Sequence, residues 1–166
     1  MFELKPISHD SIPGALTKAE HYRLLNEPSQ AESICRDILE SEPNNQRALI
    51  CLVLALSDQI VYDARAYSSG LAVAARLASP YDQAYYSGIV WERRARARHQ
   101  AGGRDSRHTV YDWVVKALNF FAEAEKLRPA GNDDAILRWN TCVRFLSSHP
   151  EMQPRPEETP EPIVSE

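Results

Sequence analysis

Between Trp91 and Arg104 the chain reads "WERRARARHQAGGR", setting Arg93, Arg94, Arg96, Arg98 and Arg104 against one acid, Glu92. Arg94 and His99 enclose four residues. That spacing joins a side chain that moves protons near neutral pH to one that stabilises developing negative charge. The same run offers positive charge to an acidic protein or an RNA backbone. On a helix, however, these arginines spread around much of the circumference instead of forming one face. No aromatic platform is interleaved among them to stack bases.

Other constellations carry less chemistry. Asp133 and Asp134 open "GNDDAILRWNTC", where paired acids complement a helix dipole. They have no His-x-x-x-His or third carboxylate beside them to complete a metal site. His9, His21, His108 and His149 show no ligand spacing. No nucleophile sits in a glycine-flanked elbow, and no glycine-rich phosphate loop follows a strand. The reading is therefore of a non-catalytic chain without metal or cofactor.

Bulk properties narrow the class of partner. The 166 residues suffice for one core of ordinary size. A net charge of −4 supplies no global attraction to phosphate backbones or anionic membranes. The start, "MFELKPISHDSIPG", lacks the basic and apolar regions of an export signal. The most apolar stretch, "ALICLVLALS", is about half a membrane span and reads as a core helix. Cys35, Cys51 and Cys142 are odd in number and widely spaced, as small reduced hydrophobes would be. A cytoplasmic protein with no membrane partner is expected, and nucleic acid is a minor alternative.

The elements that must position these residues are helical, because apolar residues recur at three and four while strand alternation and hairpin turns are missing. Punctuation places helices at about Ile12 to Asn26, Pro28 to Pro43, Asn44 or Asn45 to Ser57, Gln59 to Ala78, Asp82 to Gln100, His108 to Leu127, and Asp133 to Ser147. Ser29 with Glu32 suggests a capping box, and Asn132 a cap for the last helix. Gly70, with Ala64, Ala72 and Ala75, forms a small-residue flank for a close neighbour. Gly102 and Gly103 make the corner between the two longest helices. Trp139, Ile136 and Cys142 should seal the last core layer. From His149 the text turns to proline and glutamate, which predicts a disordered tail over 149–166.

Three proline-terminated helices share one spacing. Ala31, Cys35, Ile38 and Pro43 match Ser68, Ala72, Ala75 and Pro80, and then Ala117, Phe121, Ala124 and Pro129, each separated by four, three and five. Small side chains would let the second helix of a hairpin lie close to the first, a larger one would fill the gap between hairpins, and proline would end the helix.

This grammar resembles the tetratricopeptide repeat, a helix–turn–helix unit of about 34 residues. "NNQRALICLVLAL" is similar to that family's first helix, and Tyr22 stands where the family favours an aromatic. The resemblance implies a right-handed superhelical solenoid of hairpins at 12–43, 44–80 and 81–129, closed by a capping helix at 130–148 and preceded by an extension at 1–11. Pro43 to Pro80 exceeds the period by about three residues and Pro80 to Pro129 by about fifteen. The third hairpin is therefore elongated.

Family members bind peptides in the concave face of their first helices, and the resemblance implies such a groove here. Its candidate residues are Glu20, Arg23, Arg47, Ile50, Leu54, Ser87, Trp91, Arg94, Arg98, Asn140 and Arg144. Of these, Trp91, Arg94 and Arg144 would hold an acidic or C-terminal segment. The expected activity is that of a protein–protein adaptor, with homo-oligomerisation through the long hairpin an option. The Arg94/His99 pair also resembles the R-x4-6-H motif of the all-helical HEPN-type ribonucleases, which would imply RNA cleavage instead.

Overall fold

The computed structural model describes residues 2–103 and 106–155. They form a 3-10 turn at His9–Ser11 and seven α-helices, with no strand among the described residues: α1 (Ile12–Leu24), α2 (Pro28–Ser41), α3 (Gln46–Gln59), α4 (Ala66–Ala74), α5 (Pro80–Ala101), α6 (Ser106–Leu127) and α7 (Asp134–Ser148). The all-α expectation holds. Each helix packs on the next, and α1 also meets α3, α3 meets α5, and α5 meets α7.

Helix α3 lies where most neighbours converge. Apolar over most of its circumference, it buries Leu49, Cys51, Leu52, Val53, Ala55 and Leu56. Its start is fixed by Asn45, whose side chain accepts the Ala48 amide at 3.0 Å. Each large aliphatic side chain removed from water there contributes about 1.5–3 kcal/mol.

Helices α5 and α6, of 22 residues each, make the elongated hairpin. Gly102 and Gly103 turn the corner with φ of 70° and 111°, a region that only glycine enters cheaply. Ala117, Phe121 and Ala124 are fully buried, as are Ala31, Cys35 and Ile38 on α2. Two of the three spaced sets are thus core positions.

The middle set is a correction. Ser68, Ala72 and Ala75 are exposed, while Gly70, Ala74 and Leu77 are buried, with the same four-then-three spacing shifted by two residues. Gly70 keeps its expected role, since a β-carbon there would lie 3.3 Å from Val90, but Ala64 is exposed along with Ala72 and Ala75. Pro80 does not close α4; it is a first-turn residue of α5, capped by Ser79, whose hydroxyl accepts the Asp82 amide.

Helix α4 is also shorter than the expected Gln59–Ala78. Residues 60–65 turn instead, because Asp63 accepts the Arg65 amide at 2.9 Å in a local turn that competes with helix. The capping box does not form: Ser29 donates to Gln59 Oε1, and Glu32 accepts from Gln59 and Arg36. Asn132 sits one residue ahead of the N-cap, accepting the Asp134 amide and the Tyr81 hydroxyl.

Helix α7 buries Cys142, with Trp139 packed against the same cluster. The chain then departs from the expected tail. Residues 149–155 fold back, burying Met152 among Ile89, Val110, Val114 and Phe121, and His108 donates through Nδ1 to the Gln153 carbonyl at 2.8 Å. One thioether in a proline-rich stretch is enough to dock it. The remainder of the expected tail, 156–166, and Arg104 lie outside the described residues. No helix among those described is long and apolar enough to cross a membrane.

Candidate functional site

Helix α5 distributes the arginine run over different neighbours. Arg93 reaches α3, where its guanidinium pairs with Asp58 and donates to the Leu54 carbonyl at 3.1 Å and to Ser57 Oγ at 2.6 Å. Arg23 of α1 meets the other Asp58 oxygen at 2.9 Å, so one carboxylate joins three helices. Glu92, only 4% exposed, takes Arg96 Nε at 3.1 Å on one oxygen. Its other oxygen lies 3.5 Å from Arg138 of α7, an ion pair without a hydrogen bond. These charges are structural ties.

Arg94 points elsewhere. Its guanidinium carbon lies 3.4 Å from the ring centroid of Tyr67 on α4 and 3.8 Å from that of Trp113 on α6, with Trp91 at 4.9 Å. Burial among these rings pulls its pKa below the usual range for arginine. Trp91 packs on Tyr67 and Trp113 at 5.9 and 6.4 Å, and Lys116 stands 4.5 Å over its ring. Arg98, one turn on, donates to the Gly102 carbonyl at 3.1 Å. Beside Arg94 and Arg98 opens a cleft of about 370 Å³, walled by Tyr67 and Trp113 and edged by Val61 and Tyr62.

The residues expected to line one groove therefore separate. Arg47 and Leu54 line a cleft of about 340 Å³ between α1 and α3 with Glu20, Arg23 and Ile50. Arg47 is paired there with Glu20 at 2.9 Å. Ser87 is buried, Asn140 half-buried and Arg144 exposed. Trp91, Arg94 and Arg98 belong to the α4–α6 side, so the structure does not bring Trp91 and Arg94 together with Arg144. The reason is helical phase: Glu92, Arg93 and Arg96 take the side facing α3 and α7, which leaves positions 91 and 94 to face α4 and α6.

Arg94 and His99 diverge too. Five positions apart, they sit about 140° apart around the helix. His99 packs edge-on against Phe145 and His149 at 5.4 and 4.7 Å, away from Arg94. Among the described residues no three His, Cys, Asp or Glu side chains gather into a set that could hold a metal.

Sequence reading missed Tyr67, Trp113 and Tyr62, as well as Asp58. The first three reach the cleft from a neighbouring helix, a third helix and a turn expected to be helical. A signal for Asp58 existed in "LALSD", an acid closing an apolar helix and needing a cation beside it. Cys35 and Cys51 share one buried cluster between α2 and α3, and their proximity together with burial raises the Cys35 thiol well above its ordinary range, as suits an inert buried group. No protein-family model matches the chain, and neither does any curated protein or solved structure.

Proposed function

We propose that this chain is a non-catalytic helical-repeat adaptor of the tetratricopeptide kind, a right-handed solenoid that captures a segment of another protein. The observation that carries the reading is the side-by-side order of α1, α3, α5 and α7. Such an order makes a continuous face from the first helices of successive hairpins. Clefts open along it at Arg47 and Leu54 and, farther on, at Asp58, Arg93 and Gln100. The elongated α5–α6 hairpin adds a second surface. Separation of Arg94 from His99 favours binding over RNA cleavage, since a phosphate between them would have to reach two sides of one helix.

The test is quantitative affinity capture from the native host with the whole chain, compared with Arg47→Glu and Arg144→Glu. Both positions are exposed, so melting should fall only slightly, through loss of the Arg47–Glu20 pair, while at least one captured protein is lost. Identical capture by all three chains would remove the first-helix face from the proposal. RNA cleaved by the wild type and spared by His99→Ala would replace it with the ribonuclease reading.

A further inference from the structure

The cleft beside Arg94 has a charge pattern unlike the contacts between α1, α3, α5 and α7. Arg23, Arg47, Arg93, Arg96 and Arg138 each face a carboxylate. Arg94 and Arg98 face none among the described residues, and no acid lines the cleft they share. Net charge elsewhere is negative, so two neighbouring guanidinium groups that face no acid among the described residues mark a local inversion of sign. The cost of half-burying Arg94 is met by the rings of Tyr67 and Trp113, whose faces attract a cation.

That sandwich has a geometric consequence. A guanidinium is planar, with its N–H donors around the edge. Rings centred 3.4 and 3.8 Å from its carbon pack against it, and the N–H groups they do not engage are left to meet a ligand. A guanidinium packed against two rings is preorganised for contact with a carboxylate, because less side-chain entropy remains to be lost. Arg98 stands one helical turn away to meet a second charge.

The rim supplies the other half of the chemistry. Tyr62 is 79% exposed and Val61 58%, two large apolar side chains in the α3–α4 turn, beside the arginines. A cleft of about 370 Å³ is at the small end for a ligand pocket and suits one or two side chains of an extended peptide.

We infer that this cleft is a second binding site of the adaptor, taking an acidic peptide segment in which Asp or Glu adjoins a bulky apolar residue. The carboxylate meets the edge of Arg94 and the apolar side chain lies against Tyr62 and Val61. Nucleic acid fits less well. The faces of Tyr67 and Trp113 that would stack on a base are already covered by Arg94, and the whole chain repels phosphate. The inference rests on the partner-binding reading and assigns it a place and a ligand chemistry that the first-helix face does not have.

A displayed library of random heptapeptides, selected against the whole chain, tests it. Enriched peptides should pair an acid with a bulky apolar residue. The same peptides, synthesised and titrated calorimetrically, should bind Arg98→Gln and Tyr62→Ser at least about tenfold more weakly. Arg94→Lys should weaken them as well, since a point charge cannot reproduce the fork. Both Arg98 and Tyr62 lie at the mouth, so these two variants remain informative if Arg94 variants loosen the aromatic sandwich. Replacing the peptide's acid by its amide should cost as much as Arg98→Gln. Peptides lacking acids, or indifferent to Arg98→Gln and Tyr62→Ser, would overturn the site. If such peptides are lost with Arg47→Glu instead, the adaptor reading survives without this cleft. A library with nothing enriched overturns this site and leaves the adaptor reading to the capture experiment. Binding of a single-stranded decauridylate that is abolished by Arg98→Gln would overturn the peptide assignment in favour of RNA.

Discussion

The ring of Phe121 fills the space in which a β-carbon at Gly88 would stand: an atom built there lies 2.5 Å from Cε1 and 2.7 Å from Cδ1. Phe121 is fully buried and cannot swing aside. Gly88→Ala gains about 1 kcal/mol of helix propensity and loses about 1–3 kcal/mol to overpacking, so it should destabilise. Gly70→Ala, with its nearest neighbour at 3.3 Å, should be close to neutral, and Gly14→Ala, with nothing within 4 Å, should stabilise. Melting temperatures should fall in the order Gly14→Ala, Gly70→Ala, Gly88→Ala. A Gly88→Ala chain that does not melt lowest contradicts the packing of α5 against α6.

The same contact explains how far the sequence could be read. On α6, Phe121 stands between two alanines ahead of a proline, so spacing identifies the core. On α4, "AYSSGLAVA" is dominated by small residues, and the four-then-three spacing fits two registers. Burial chose Gly70, Ala74 and Leu77. The turn at 60–65 was hidden because Asp63 breaks the helix by a local hydrogen bond that periodicity does not register. In the cleft, Arg94 was legible as an arginine without an obvious acid. Tyr67 and Trp113, 27 positions before and 19 after it, meet it only through packing of three helices.

Asp58 should be the most sensitive surface-proximal charge. It is paired with both Arg23 and Arg93, and all three side chains are about three-quarters buried. Asp58→Asn keeps the shape and leaves two guanidinium groups facing each other, at a cost of about 2 kcal/mol. Glu20→Gln breaks the exposed pair with Arg47 and should cost about 0.5 kcal/mol or less. Urea unfolding of the two variants measures the difference. Equal midpoints would mean that Asp58 does not tie α1, α3 and α5 together.

Docking of residues 149–155 makes a separate forecast. Met152 is 7% exposed within the cluster that contains Phe121. Met152→Ser should cost about 2 kcal/mol, the low end for a large-to-small core change because a terminal segment can relax. Ending the chain at His149 should cost a similar amount. Native-state proteolysis reads the same contact, with cleavage near Gln153 accelerated by Met152→Ser. Unchanged cleavage and stability would show the segment to be idle.

Stability should fall in alkali, and Cys142 should contribute. Burial, aided by Glu92, pushes its thiol from the ordinary 9.0 up to about 12. Burial likewise raises the Tyr86 phenol to about 12. Both folded values lie above the unfolded ones, so the stability from keeping each group neutral is fully present below the unfolded pKa. It is lost as pH rises toward 12, because the unfolded chain releases its proton first. For Cys142 the slope approaches about 1.4 kcal/mol per pH unit above pH 9, or roughly 2–3 kcal/mol by pH 11. Cys142→Ala removes that slope while lowering stability by a constant amount at neutral pH. Urea unfolding of both chains at pH 8, 9, 10 and 10.5 should therefore show the gap between them narrowing as pH rises. A gap that stays constant would mean that Cys142 ionises as readily folded as unfolded, which its burial against α5 forbids.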